Sequence, residues 1–104
     1  YFTGRKAYVE VVKVFADSPY TTQDLDYIWA NSVDGILVFN AKASPSAGDR
    51  FIVQTGDYAS VNKITVNGNG KNLIYRDTTD TFIDFSLNSL TWEFIYDGTV
   101  WRLS

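Results

Sequence analysis

The sequence predicts an all-β domain, an antiparallel β-sandwich or jelly-roll-like barrel of about eight or nine short strands. Three observations predict it. Short runs of β-branched and aromatic residues recur along the chain, Gly, Asn, Asp and Pro punctuate them about every ten residues, and no helical period separates the runs.

The elements follow in order. Residues 7–16 (AYVEVVKVFA) favour a pleated surface. Their alternation is imperfect, with Val9 and Val11 on one face and Val12 and Val14 on the other, as expected of a bulge or of burial on both sides. Asp17-Ser18-Pro19 ends that run. Residues 21–31 (TTQDLDYIWAN) admit two readings. As a helix, Thr21 or Thr22 caps it and Leu25, Ile28 and Trp29 are its apolar positions. As a strand over 24–31, the preferred reading, Leu25, Tyr27 and Trp29 share a face.

Asp34-Gly35 turns into the apolar run Gly35–Phe39, and residues 43–48 (ASPSAG) form a loop. Residues 49–55 make the next strand. Residues 62–66 (NKITV) alternate, with Ile64 and Val66 inward and Lys63 and Thr65 outward. Asn67-Gly68-Asn69-Gly70 is the strongest local signal, because Asn and Gly tolerate the positive φ of tight hairpin turns. Strands are expected at 72–75 and at 82–87, the latter with Ile83, Phe85 and Leu87 on one face. Leu90, Trp92, Phe94 and Tyr96 then alternate with Thr91, Glu93 and Ile95. Asp97-Gly98 is a second hairpin signal before the closing run 100–103. Residues 1–15 are read as an N-terminal strand linking to a preceding segment, and residues 16–104 as a single β-sandwich domain.

A chain of 104 residues suits one domain and buries roughly two thirds of its unfolded surface. Its 45% hydrophobic and 16% aromatic content argues against disorder. Cys and His are absent, which removes thiol nucleophiles, disulfides, the usual zinc ligands and the Ser-His triad. The nine basic residues are scattered and the net charge is −3, so no stripe exists to neutralise nucleic-acid phosphates. No apolar run approaches the ~20 residues of a membrane span. A chain opening on Tyr1 is expected to be a fragment or processed product of a longer protein.

The candidate chemistry is sparse. The glycine-rich run 67–70 lacks the Lys-Ser/Thr of a phosphate loop and no helix follows it, so it reads as a turn. Asp24 with Asp26, and Asp77 with Asp80, are the acidic clusters. A small glycosidase built on the Asp24 or Asp77-region carboxylates is the one enzymatic option left by the inventory, against the plainer reading as solvated loop carboxylates. Trp29, Trp92 and Trp101 suit a sugar-stacking platform, as in a monomeric carbohydrate-binding module. Yet Trp92 alternates in phase with Phe94 and Tyr96, and Trp101 shares a face with Leu103. Trp92, Phe94, Tyr96 and Trp101 are therefore assigned to core or subunit interface. Tyr20, Tyr58 and Trp29 are the candidates for surface contact. Strands apolar on both faces (Ile36–Phe39, Phe51–Val53, Leu90–Tyr96) point to cover by sister subunits. No catalytic residue, cofactor or metal is assigned.

From Tyr20 onward the chain resembles a β-sandwich module of tailed-phage virion proteins, found in tail fibres, tail needles, spikes and head-decoration proteins. The resemblance rests on motifs in family order: Thr21-Thr22-Gln23-Asp24-Leu25-Asp26-Tyr27-Ile28; Gly35-Ile36-Leu37-Val38-Phe39; Gly48-Asp49-Arg50-Phe51-Ile52-Val53; Asn62-Lys63-Ile64-Thr65-Val66 with its Gly/Asn turn; and Tyr96-Asp97-Gly98-Thr99-Val100-Trp101. It covers about four fifths of the chain. Where the family often has Leu-Pro after the second motif, Phe39-Asn40 stands here. The resemblance implies a non-enzymatic, homotrimeric domain located in the virion, with a structural or host-attachment role. Its implied partners are copies of itself, other virion proteins, and a host surface glycan or protein, without nucleic acid or membrane insertion.

Overall fold

Alternation sets which faces meet. In Thr91–Tyr96, Phe94 and Tyr96 are buried while Glu93 and Ile95 are only half-buried; in Ile64–Asn67, Ile64 and Val66 are buried. The buried sets of these two strands belong to different sheets and to one core. In the computed structural model, which describes residues 8–104, the larger sheet has the order β1 (Val9–Lys13), β3 (Asp26–Ala30), β5 (Arg50–Thr55), β10 (Thr91–Tyr96), β11 (Trp101–Leu103), β7 (Leu73–Tyr75), β8 (Thr78–Asp80). The smaller has the order β2 (Tyr20–Thr21), β4 (Leu37–Asn40), β6 (Ile64–Asn67), β9 (Phe82–Phe85). A single 3-10 turn spans Phe15–Asp17, and no α-helix occurs among the described residues. None of these elements is a helix long and apolar enough to cross a membrane.

The nearly all-β expectation holds, but the sheets are mixed rather than antiparallel. Pairs β1–β3, β3–β5, β2–β4, β4–β6 and β7–β11 are parallel; β5–β10, β10–β11, β6–β9 and β7–β8 are antiparallel. The cause is the winding of the first half. From β1 to β6 the chain changes sheet at every connection, so each strand returns beside the one two before it, in the same direction. A parallel neighbour needs a crossover, and here the crossover is a strand of the opposite sheet instead of a helix. Hairpins take over only in the second half. The N-terminal stretch, where described, is the edge strand β1 paired with β3; residues 1–7 lie outside the described residues.

The Asn67–Gly70 turn is present but is not a hairpin. Asn69 (φ 54°) and Gly70 (φ 96°) occupy the left-handed region, and the turn carries the chain from β6 in the smaller sheet to β7 in the larger. Asp97-Gly98 does form the expected hairpin between β10 and β11, with Gly98 at φ 102°. The ambiguous segment 21–31 resolves as strand: Leu25 takes a φ of 70°, and Asp26, Ile28 and Ala30 bury, which leaves Tyr27 and Trp29 facing outward. Two short strands, β2 and β8, were not expected from the sequence.

Aromatic rings fill the space between the sheets. Phe51 stacks on Phe94 with centroids 4.5 Å apart and planes 8° from parallel, and Trp101 meets Phe51 at 5.1 Å. Phe85 of the smaller sheet meets Phe94 edge-on at 6.2 Å and Trp92 at 5.2 Å. Such rings bury large areas and add specific edge and face contacts, so they dominate a core of this size.

Candidate functional site

Of the carboxylates that the sequence offers for chemistry, Asp24 and Asp26 are engaged in holding loops. Asp24 Oδ1 accepts the Arg50 backbone N–H at 3.0 Å, which ties the loop before β3 to the start of β5. Asp26 is buried, and its Oδ2 accepts Tyr20 O–H at 2.7 Å and the Gln23 N–H at 2.9 Å. The Tyr20 ring packs edge-on against Phe39, and Lys13 Nζ sits 4.1 Å above it. Burial, reinforced by the Asp26 carboxylate, pushes the Tyr20 phenol up to about 12. Tyr20 is thus half-buried in β2 rather than a free surface ring, because its hydroxyl is the partner that Asp26 needs. Asp77 and Asp80 are exposed on the β7–β8 hairpin. Among the described residues no group of three or more His, Cys, Asp or Glu side chains is placed to hold a metal.

Of the aromatic assignments, Phe94, Tyr96 and Trp101 are buried and Trp92 is half-buried against them. Tyr58 and Trp29 are exposed. Trp29 lies on the outer face of the larger sheet, in register with Val12 of edge strand β1 and with Gln54 of β5. Val12 is exposed as well. Beside them Tyr27 donates its O–H to Gln54 Oε1 at 2.9 Å. Ile52 and Ile95 are half-buried on the same face, since they alternate with the buried Phe51, Val53, Phe94 and Tyr96.

The most distinctive surface is one end of the molecule. Strand directions bring the turn after β1 and the β3–β4, β5–β6 and β9–β10 loops to the same end. There Phe15, Val33, Ile36, Tyr58, Val61 and Leu87 are between 42% and 76% exposed. The remaining exposed large apolar residues, Val9, Val12, Trp29 and Phe82, all lie on strands. Among the described residues, every loop-borne exposed large apolar side chain therefore sits at this end. The described loops at the opposite end carry none.

These loops are braced to one another. Asn62 Nδ2 donates to Ser32 O at 2.9 Å, the Ser60 N–H to Asn88 Oδ1 at 2.9 Å, and the Ser89 N–H to Gly56 O at 3.1 Å. Thr55 Oγ1 donates to Leu87 O at 2.8 Å. Phe15 lies over Gly35, where an added Cβ would come within 2.6 Å of its ring. The sequence pattern puts Leu87 on the face of Ile83 and Phe85. The strand ends at Phe85, and the carbonyl bond to Thr55 turns Leu87 outward. Val33 and Val61 are not marked by strand periodicity, because each is a lone apolar residue in a polar turn. That isolation was the available signal: a core residue would have had a partner at strand spacing.

At the β8–β9 edge the sheets part to leave a cleft of about 180 Å³. The rings of Tyr75, Phe85 and Trp92 and the side chains of Ile83 and Leu103 line it, with Thr78 and Asp80 as its polar members. The sequence did not single out this grouping, since its members come from five strands.

No family model matches this chain, and no curated protein matches it.

Proposed function

We propose that this chain is a non-enzymatic structural or adhesion domain of a bacteriophage virion protein, of the tail-fibre, tail-needle or spike kind, folded as a β-sandwich and assembled as a homotrimer. The order of motifs from Tyr20 to Trp101 supports the family. The observation that carries the functional reading is the braced, apolar-tipped loop end. Water-exposed apolar side chains cost solvation without contributing to the core, and clustering on cross-linked loops is the pattern of a contact surface. Against the plainer expectation of solvated loop carboxylates, Asp26 is buried, and the oxygens of Asp24 and Asp26 are taken up by backbone and hydroxyl donors, which weighs against a glycosidase built on them.

In this reading the outer strand face around Val12 and Trp29 joins sister copies side by side. The loop ends then point the same way, and three weak contacts act together on one attachment target. Sedimentation equilibrium at micromolar concentration tests the assembly: a trimer mass is expected, and a strictly monomeric species rejects it. The exposed Trp29 ring favours a second reading, a monomeric carbohydrate-binding module. A monomer that binds a glycan saturably, with the response lost in Trp29→Ala, selects that reading instead.

A further inference from the structure

The cleft at the β8–β9 edge has a chemistry of its own, independent of the assembly reading. Register fixes its composition. In the β7–β8 hairpin Leu73 pairs with Asp80 and Tyr75 with Thr78, so Asp80 and Thr78 lie on the face that carries the buried Leu73. Across the gap, Val66 pairs with Ile83 and Ile64 with Phe85, which turns Ile83 and Phe85 inward from the smaller sheet. A carboxylate thus stands on the inner face of a sheet, beside three aromatic rings. Tyr75 and Trp92 meet at 78° with centroids 5.2 Å apart, as two walls of a corner do, and Phe85 lies 5.2 Å from Trp92.

Asp80 makes no ion pair among the described residues, and no Lys or Arg lines the cleft. Tyr75 already accepts a cation: the Arg76 guanidinium lies 5.2 Å from its ring centroid. A hexose suits the site poorly, since among the described residues Thr78, Asp80 and the Tyr75 phenol are its polar members apart from the buried Trp92 indole N–H, and most sugar hydroxyls would be left unpaired. The Trp92 indole Nε1 is buried without an acceptor and is not open to a ligand. A neutral apolar group would use the rings but leave the exposed Asp80 charge, at the rim of the cleft, without a counter-charge in the guest. A compact alkylated cation answers both features, because its methyl groups fill the apolar volume and its charge meets the ring faces and the carboxylate. The volume suits it, since an apolar cavity of roughly 150 Å³ accepts a benzene-sized guest.

We infer that the cleft formed by Tyr75, Phe85, Trp92 and Asp80 binds the trimethylammonium head of a small organic cation. Choline is the probe, and 3,3-dimethylbutan-1-ol, of the same shape but neutral, is its control. Both are titrated against ¹⁵N-labelled protein, following the Trp92 Nε1–H and the backbone amides of residues 75–85. Saturable shifts at Trp92 and Asp80 with choline are expected, with at least about tenfold weaker binding of the neutral alcohol. Asp80→Asn, at an exposed position, is expected to keep the fold and weaken choline several-fold.

The same carboxylate has a plainer use, as an inward charge that keeps edge strand β8 from pairing with other chains. Aggregation of Asp80→Asn with unchanged choline shifts would show that use and overturn the inference. Equal binding of choline and the alcohol, shifts centred on Trp29, or no saturation would overturn it too.

Discussion

Gly68 and Lys71 approach so closely that a Cβ on Gly68 would lie 1.7 Å from the Lys71 carbonyl oxygen. The Gly68 N–H also donates to Thr81 O at 2.9 Å, which pins the corner between the sheets to the start of β9. No side chain fits here, because the obstructing atom is backbone. Gly68→Ala is expected to destabilise the domain by about 3 kcal/mol or more, or to prevent folding. Gly70 has open space around it and needs only its positive φ, so Gly70→Ala is expected to cost about 1 kcal/mol. Urea unfolding of the two variants measures the difference.

Asp97 closes the β10–β11 hairpin. Its Oδ1 accepts the Val100 and Thr99 N–H groups at 2.9 Å each, and its Oδ2 accepts Arg102 Nε at 2.7 Å. The backbone bonds from Val100 and Thr99, then the Arg102 guanidinium, lower its carboxyl to about 2 from 3.8. A depressed pKa in the folded state means that this contribution is complete above the unfolded value. It is lost as pH falls from about 4 through 2. The urea midpoint of Asp97→Ala is therefore expected to change less with pH across that window than that of the parent protein.

Two phenols titrate high. Burial, with Asp26 beside Tyr20 and Glu93 beside Tyr8, raises both to about 12 from 10.0. A raised pKa in the folded state gives stability that is complete below pH 10 and is lost as pH climbs through 12. Unfolding is expected to become easier over that alkaline window, with phenolate absorbance rising in step. At neutral pH, Tyr20→Phe strips one donor from the buried Asp26 carboxylate, at an expected cost of about 1–2 kcal/mol in urea unfolding.

Phe94 is fully buried, stacks on Phe51 and meets Phe85 edge-on. Phe94→Ala removes contacts to both sheets and leaves a cavity, with an expected loss of about 3–5 kcal/mol in chemical denaturation.

Local features of this fold were legible, while sheet membership was not. The alternation of Ile64 and Val66, the in-phase Phe94 and Tyr96, and the Asp97-Gly98 turn depend on neighbours within a few residues, and each is read directly from spacing. The Asn67–Gly70 turn shows the limit. Its residues specify positive φ, but whether the chain returns to the same sheet depends on the parallel pairing of β7 with β11, far away in sequence. Parallel order likewise leaves no short-range trace, since it comes from the chain crossing between sheets at each step from β1 to β6. The loop end was partly visible in Tyr58 alone. The cleft was invisible, because Asp80 and Trp92 come to line it only through the strand order β10–β11–β7–β8 of one sheet, facing Ile83 and Phe85 of the other.

The central claim is that strand faces join copies of the domain while the apolar loops stay free for attachment. Native mass measurement of three proteins tests it most directly: the parent, Val12→Asp on the outer strand face, and Val61→Ser with Leu87→Ser on the loops. The account expects trimers for the parent and the loop variant and monomers for Val12→Asp. A monomeric parent, or a trimer dissolved by the loop changes and untouched by Val12→Asp, would contradict it.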